Sequence, residues 1–410
     1  MPVNLEWFIA RRLLKGGGEK SVSVPIVRIA VAGIALGLCV MLLAVFIVTG
    51  FKQEITRKLS GFTAHVNVTP YETLGQVEVI PGGDTLAWVL QEMEGVRQAY
   101  SYIEKPAIFK SSNEIHGVVL RGVDGAFRST FFREHLVEGV WPDFDISERY
   151  SSKVVISSAM ASYLQVGPGD RVDAHFVDEH PRVRPLVVEG VYDTGFKEYD
   201  DVMAWVDIRL LSRLNGWERG EAGGIAVELE HVGSIDEMKE GIAERLYQEN
   251  RDYNIRTLRE LAPQIFDWLS LINMNVWVIL ILIILVAGFN MVSGLLILIL
   301  DKTRLIGLMK ALGCRNLSLR RLFLYVSAGL IARGMVWGNL FAFLLAGLQY
   351  HYHIIKLDPV SYYMSTVPMN FNMGYVLLLN VGVIFITILM LVVPTMLISR
   401  IDPIKSITFE

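Results

Sequence analysis

Residues that could carry out chemistry are few in this chain, and the common catalytic patterns are missing. The sequence has no G-x-x-x-x-G-K-[ST] phosphate-binding loop, so the chain is not expected to hydrolyse ATP. It also lacks the H-E-x-x-H, C-x-x-C and G-x-S-x-G patterns. His175 and His180 flank two carboxylates, but an i, i+5 spacing in a predicted hairpin fits no standard metal site and favours a solvated loop. Neither an enzyme nor a metal site is indicated.

One charged segment does have a pattern typical of a binding helix. Its leucines and methionine follow the i, i+3, i+4, i+7 spacing of a helix with one apolar face, and Gly313 is suited to end that helix. Such a helix either rests on the anionic membrane surface or docks into a groove of a partner protein. The residues assigned to this helix are Asp301, Lys302, Arg304, Leu305, Leu308, Met309, Lys310, Leu312 and Gly313.

The charge distribution divides the chain into two environments. Of the 410 residues, 52% are hydrophobic and 20% are charged. Residues 52–267 hold 23 Lys or Arg and 36 Asp or Glu, a net charge of −13, whereas the rest holds 15 basic and 6 acidic residues, a net charge of +9. This asymmetry predicts a soluble acidic domain between basic, membrane-embedded flanks. Cys39 and Cys314 both lie outside the acidic segment, so no disulfide is expected to brace it.

Four segments are long and apolar enough to cross a bilayer as helices, which takes about 20 residues. They are residues 29–51, 268–300, 322–350 and 374–399. Basic residues concentrate in residues 1–28, 301–321 and 400–410. By the positive-inside rule, both termini and the loop between the second and third spans are cytoplasmic, and residues 52–267 and 351–373 face the other side.

The acidic segment reads as an α+β domain, because strand-like and helix-like runs alternate irregularly along it. We interpret residues 126–220 as a lobe inserted into a domain made by residues 61–125 and 221–260.

The second span exceeds the bilayer thickness. Its 33 uncharged residues would make about 50 Å of helix against about 30 Å of hydrocarbon. Strong tilt is one solution. We favour the other, in which helical stalks continue from the membrane into the domain, because residues 51–60 and 258–266 also have helical patterns. Arg333, inside the third span, is expected to bond polar groups of the bundle such as Asn290 or Asn339. The alternatives are that its side chain snorkels to the interface or that it marks a substrate path.

Several short motifs occur in order along nearly the whole chain. They are Asn4–Leu14, Gly33-Ile-Ala-Leu-Gly, Thr49-Gly-Phe-Lys, Gly167-Pro-Gly-Asp-Arg, Phe289-Asn-Met-Val-Ser, Asp301-Lys-x-Arg with Met309-Lys-Ala-Leu-Gly, Leu357-Asp-Pro with Tyr362-Tyr363 and Val367-Pro, and Ile401-Asp-Pro-Ile. With them the chain resembles the FtsX-like permease family of ABC transporters, and most closely its lipoprotein-releasing (Lol-type) transmembrane subunits.

This resemblance implies an α-helical membrane protein with four transmembrane helices and a large α+β periplasmic domain, in a MacB/FtsX-like (type VII ABC) architecture. It implies a permease subunit in the bacterial inner membrane that extracts lipoproteins and passes them to a periplasmic carrier. The implied partners are a pair of ABC ATPase subunits that bind ATP and Mg²⁺, a second permease half, identical or paralogous, and the lipoprotein with its lipid. No cofactor bound by this chain and no nucleic acid are implied.

The resemblance also assigns roles to residues. The segment 301–313 becomes a coupling helix that docks onto the ATPase, although relatives usually have an acidic residue at the position of Leu305. The candidate substrate cavity is lined by Phe46, Phe51, Phe289, Met291, Tyr362 and Tyr363. A short hairpin is a candidate for carrier docking, with a plain turn as the alternative, and its residues are Asp178, Glu179, His180, Pro181 and Arg182.

Two other functions remain open from the sequence. A cell-division-type relative would transmit ATP-driven motion to a peptidoglycan hydrolase, and an efflux permease would export drugs or peptides. The N-terminal motif and the Asp-Pro and Tyr-Tyr motifs favour lipoprotein release over the cell-division-type function. Efflux relatives often carry a fused ATPase, and this chain has no phosphate-binding loop.

Overall fold

The computed structural model describes residues 5–15, 23–71, 79–112, 114–128, 130–144, 150–176, 181–249 and 251–397. The chain divides into two compact units. The helical unit comprises Met1–Lys52, Trp268–Ile355 and Thr366–Glu410, and the α+β unit comprises Gln53–Asp267 and Lys356–Ser365.

The helices, in chain order, are α1 (Leu5–Lys15), α2 (Ser23–Thr63), α3 (Gly83–Gln91), α4 (Thr130–Glu134), α5 (Ser158–Leu164), α6 (Lys197–Asp200), α7 (Ile208–Asn215), α8 (Ile235–Gln248), α9 (Leu258–Leu261), α10 (Pro263–Asp301), α11 (Thr303–Ala311), α12 (Asn316–Tyr352), α13 (Pro359–Tyr362) and α14 (Met373–Leu397). The strands are β1 (Val66–Thr69), β2 (Val96–Lys110), β3 (Ile115–Val123), β4 (Leu136–Gly139), β5 (Lys153–Ser157), β6 (Arg171–Phe176), β7 (Arg182–Tyr192), β8 (Met203–Asp207), β9 (Gly224–Leu229) and β10 (Asn254–Thr257).

Among the described residues, four helices are long and apolar enough to span a membrane: α2, α10, α12 and α14. The first three contain the predicted segments 29–51, 268–300 and 322–350. The fourth begins at Met373, and the predicted end of its span, Ser399, lies outside the described residues together with the tail 400–410. Helix α2 continues twelve residues beyond the predicted end of its span at Phe51, to Thr63.

Helices α2 and α12 approach each other along a row of small residues in α12. Gly334, Gly338, Ala342 and Ala346 are spaced four apart and are all buried. A Cβ atom at Gly334 would lie 2.8 Å from the Cβ of Ile34, and one at Gly338 would lie 2.8 Å from the carbonyl oxygen of Ala35. Small residues let helix backbones pack this closely in lipid, where dispersion contacts replace the hydrophobic effect.

In the α+β unit, ten strands of the described residues form one connected sheet in the order β10-β1-β9-β2-β3-β8-β5-β7-β4, with β6 paired to β2 and β7. Most neighbours are antiparallel, but β3 pairs parallel with β8, and β5 pairs parallel with β7. Strand β2 is long enough to pair with different strands along its two halves. Its first half pairs with β9, and its second half, from Ile103, pairs with β3.

The division into lobes differs from the prediction. Ile103, Phe109, Val118 and Leu120 belong to the same apolar core as β5 to β8, α5 and α7. The second lobe therefore begins inside β2, not at residue 126, because a strand shared by two lobes has no break in composition at which a boundary could be read.

The second predicted stalk is interrupted. Thr257 caps α9 in a reciprocal capping box with Glu260, and α9 ends after a single turn. Ala262 leaves the helical region, with φ −129° and ψ 60°, because Pro263 follows it and sterically disfavours helical geometry in the preceding residue. A continuous helix over residues 258–266 is thus wrong, and α10 begins at Pro263.

His65 joins the end of α2 to the sheet. Its N–H donates to the carbonyl of Val227 at 3.0 Å, and its carbonyl accepts from the N–H of Leu258 at 2.9 Å. Its buried Nδ1 accepts from the N–H of Leu229 at 3.1 Å. Burial, aided by the positive charge of Arg97, lowers the pKa of His65 to about 4, so the folded protein holds the imidazole neutral.

The helix contact predicts that Gly338→Leu destabilises the helical unit by about 1–3 kcal/mol, because a side chain there must push apart two backbones. Thermal unfolding of the full chain in detergent, followed by size-exclusion fluorescence, measures the change. Gly347→Leu on the same helix is the control, since no atom lies within 4 Å of a Cβ built there. Equal melting temperatures for the two variants would contradict the packing argument.

Because burial lowers the pKa of His65, we predict that the free energy of unfolding of the α+β unit decreases as pH falls. An unfolded histidine titrates near pH 6.5 whereas the folded one titrates at about 4, so the unfolded state binds more protons between these values. The stabilisation is complete above about pH 6.5, and about 2 kcal/mol of it is lost by about pH 5. Hydrogen exchange of β1 amides in the full chain, corrected for intrinsic rates, measures it.

His65→Gln is the control, because glutamine keeps an acceptor but does not titrate. Burial raises the pKa of Asp200 to about 6, which makes that group stabilise the fold as pH falls, so the comparison between wild type and His65→Gln isolates the histidine. An identical pH dependence in both proteins would refute the assignment.

Candidate functional site

The predicted coupling helix is α11. It ends in a Schellman motif, in which the N–H of Gly313 donates to the carbonyl of Lys310 at 3.0 Å and the N–H of Cys314 donates to that of Met309 at 2.9 Å. Gly313 has φ +87°, a conformation that favours glycine, so the sequence prediction of the helix end is confirmed. Asp301 and Lys302, immediately before α11, form an ion pair at 2.8 Å.

Helix α11 exposes the leucines that were predicted to form its apolar face. Ile306 is 1% exposed and lies in a core with residues of α1, α10 and α12, against which Met309 also packs. Leu308 and Leu312 are 55% and 79% exposed, and Leu305 is half-buried. The helix is therefore anchored through Ile306, which the sequence pattern did not single out, and offers a leucine stripe on another face.

The residues predicted to line a substrate cavity do not gather in one place. Phe46 is buried with Phe343 and Phe371, at ring-centroid distances of 5.6 and 5.4 Å. Met291 is buried in a different core, with residues of α1 and α12, and Phe289 is 63% exposed. Phe51 is buried. Tyr362 is exposed, and Tyr363 packs against Phe196 in the α+β unit. A substrate role for these residues stays a prediction.

The candidate carrier-docking hairpin joins β6 to β7. Asp178, Glu179 and His180 lie outside the described residues. Pro181 is exposed, and the guanidinium of Arg182 donates to the carbonyl of Leu214 at 2.8 Å, which ties the start of β7 to α7. Among the described residues, no group of three or more His, Cys, Asp or Glu side chains could hold a metal ion.

The sequence reasoning missed a cluster of aromatic rings around the end of α2. Phe62 is fully buried in the α+β unit, and five other rings surround it. The ring centroids closest to Phe62 are those of Tyr199 at 5.0 Å, Phe132 at 5.2 Å, Phe131 at 6.1 Å, Tyr192 at 6.2 Å and Phe196 at 6.3 Å. Paired aromatics in the sequence, such as Phe131-Phe132, were the signal, but their convergence on one helix end depends on the tertiary fold.

Arg121 holds the same helix end. Its guanidinium, 2% exposed, donates to the carbonyl of Phe62 in the last turn of α2. It lies over the ring of Tyr102 at 4.1 Å and forms an ion pair with Glu104 at 3.1 Å. A cation at a helix C-terminus is favourable, because the unsatisfied carbonyls there carry partial negative charge. Arg121 lies on β3, and Tyr102 and Glu104 lie on β2. Residues of the sheet therefore bind the last turn of α2.

A cavity of about 770 Å³ lies between α12 and α14. Its walls are apolar except for Asn339 and Asn380, whose side-chain amides donate to each other's oxygens at 2.8 and 3.1 Å. Each amide also donates to a carbonyl in its own helix. The amides of Asn339 and Asn380 are therefore paired with each other.

The exposed leucines of α11 are accessible for docking. Helix α2 ends in contact with the aromatic cluster around Phe62 and with the guanidinium of Arg121. Burial raises the pKa of Tyr199 to about 12, so its phenol stays neutral inside the cluster.

Curated relatives match the chain over nearly its full length. The lipoprotein-releasing system transmembrane protein LolC of Neisseria meningitidis is 23% identical over 99% of this chain and 100% of its own. The transmembrane protein LolE of Haemophilus influenzae is 20% identical over 84% of this chain and 83% of its own. Among solved structures, the periplasmic region of MacB from Actinobacillus actinomycetemcomitans is 16% identical over 49% of this chain and 91% of its own, with a TM-score of 0.35.

Two protein families account for most of the sequence. Residues 29–245 match the MacB-like periplasmic core domain, and residues 277–403 match the FtsX-like permease C-terminal region. The resemblance inferred from short motifs is confirmed, as is the class of an α-helical membrane protein with an α+β periplasmic domain. The chain belongs to the FtsX-like permeases that carry a MacB-like periplasmic core domain.

Proposed function

We propose that this chain is the permease subunit of an ATP-driven transporter that extracts lipoproteins from the outer leaflet of the bacterial inner membrane. It would pass them to a periplasmic carrier and take its energy from a separate ATPase. The observation that carries the proposal is the exposed leucine stripe of α11 in a chain that aligns end to end with a lipoprotein-releasing transmembrane protein.

The orientation follows from charge. Basic residues before α2, around α11 and after α14 support a cytoplasmic location for those segments, where an ATPase is available. The α+β unit then lies in the periplasm with the carrier and the cargo.

Helix α11 and the lipoprotein-releasing relatives support the proposed partners. The exposed leucines of α11 are typical of a helix that binds in a groove of a partner protein. In this proposal the groove belongs to one ATPase subunit. A pair of such ATPases requires a second permease half, either a copy of this chain or a paralogue. ATP and Mg²⁺ would bind to the ATPases, and this chain would hold no cofactor.

Energy is needed because a lipid anchor leaves the bilayer. Each CH₂ withdrawn from hydrocarbon into water costs about 0.8 kcal/mol, so a triacyl anchor is held strongly unless the transporter and the carrier shelter it. Helix α2 supplies a route for force, since it runs without a break from Ser23 to the aromatic cluster around Phe62.

Docking through α11 predicts that Leu308→Asp combined with Leu312→Asp lowers co-purification of the ATPase at least about tenfold, because burying each leucine is worth about 1.5–3 kcal/mol. Quantitative mass spectrometry of complexes purified in mild detergent measures it. Leu317→Asp, a leucine 63% exposed at the start of α12, is the matched control. Normal ATPase recovery with the double variant would exclude α11 as the docking helix.

The full function is tested with wild-type complex in nanodiscs that contain a triacylated lipoprotein. Addition of ATP and a periplasmic carrier is expected to move the lipoprotein into the carrier fraction, and omission of either should leave it in the nanodisc. A complex that hydrolyses ATP but binds a peptidoglycan hydrolase, and releases no lipoprotein, would instead support the cell-division-type function.

A further inference from the structure

The connection between α12 and α14 forms a compact loop that belongs to the α+β unit. Residues 356–365 cluster with that unit, although the chain before and after them belongs to the helical unit. The N–H of Leu357 donates to the carbonyl of Ser365 at 2.9 Å and closes the loop. Inside it, the N–H of Tyr362 donates to the carbonyl of Asp358 at 3.0 Å, and the Ser361 hydroxyl donates to the Asp358 carboxylate at 2.8 Å.

Tyr363 attaches this loop to the rest of the α+β unit. Its ring meets the ring of Phe196 edge to face, with centroids 5.3 Å apart and planes at 88°. Its carbonyl accepts from the buried Nζ of Lys58, on α2, at 3.2 Å. Tyr363 has φ +59°, which is disfavoured for a residue with a Cβ, so the surrounding contacts must hold it there.

Buried hydrogen bonds hold the turn against which Tyr363 packs. The Asp200 carboxylate accepts from the Thr194 hydroxyl at 2.8 Å and from the N–H of Phe196 at 3.1 Å, all of them buried. Gly195 has φ +66°, and a Cβ there would lie 3.4 Å from Nζ of Lys58. The turn 194–200 thereby fixes the ring of Phe196, which also contacts Phe62 at 6.3 Å.

We propose that Tyr363 is a positioning residue that fixes the α12–α14 connection to the end of α2, so that these two helices also drive the α+β unit. The proposal rests on the function proposed above. Movement of α12 or α14 would reach the loop through the chain at Ile355 and Thr366, then Tyr363, Phe196 and finally Phe62. Lipoprotein release would depend on this path as well as on α2 and α10.

Tyr363→Ala is expected to uncouple the complex. Coupling between sites typically changes an equilibrium by 5- to 150-fold, so we expect at least about fivefold less lipoprotein transferred to the carrier per ATP hydrolysed. The ATPase rate should stay within about twofold of wild type, because α11 is untouched. Tyr247→Ala, which removes a tyrosine that is 84% exposed on α8 of the same unit, is the matched control and should behave as wild type.

A second measurement needs no cargo. Hydrogen exchange of the full complex with and without ATP reports whether the turn 194–200 responds to nucleotide. In wild type and in Tyr247→Ala we expect ATP to change its exchange, and in Tyr363→Ala we expect at least about tenfold faster exchange in that turn and a weaker response to ATP. Unchanged exchange in β9 and α8 would show that the variant is folded.

The outcomes separate the two proposals. Wild-type release per ATP by Tyr363→Ala, or unchanged exchange and nucleotide response in the turn, would overturn the role of Tyr363. Absence of release by the wild-type complex would refute lipoprotein extraction, and the exchange experiment would still decide whether Tyr363 couples the loop to the turn.

Discussion

A buried guanidinium at the end of a long helix is the interaction on which the proposed mechanism depends. Arg121 binds the last-turn carbonyl of Phe62 while its own position is set by Glu104 and the ring of Tyr102. Removing that cation would leave helix carbonyls unsatisfied in a dry environment, which is costly. Residues of the sheet therefore hold the last turn of α2 within the α+β unit.

The other end of α2 is constrained by a different physical effect. In lipid there is little hydrophobic driving force between helices, so close approach of backbones at Gly334 and Gly338 must provide the contact energy. The polar contact between Asn339 and Asn380 adds a satisfied amide pair between α12 and α14. Shape complementarity holds α2 against α12, and aromatic and charged groups hold it in the α+β unit.

How much of this could be read from the sequence depended on whether the signal was local. The four long apolar helices and the turn at Gly313 are set by residues close in sequence, and they were predicted correctly. The aromatic cluster brings together residues from 62 to 199, which only the strand order makes neighbours. The prediction of the lobe boundary was wrong because β2 contributes to the cores of both lobes. The inward role of Ile306 was missed because the periodicity of α11 fits two faces.

The break between α9 and α10 makes the two long helices mechanically unequal. Helix α2 enters the sheet as an uninterrupted rod, whereas the chain bends at Ala262 before α10 begins at Pro263. A continuous helix transmits a displacement along its axis, whereas a break between two helices lets the angle between them change. A load transmitted along α10 would therefore meet a change of backbone direction at Ala262, whereas a load transmitted along α2 would meet none before Thr63.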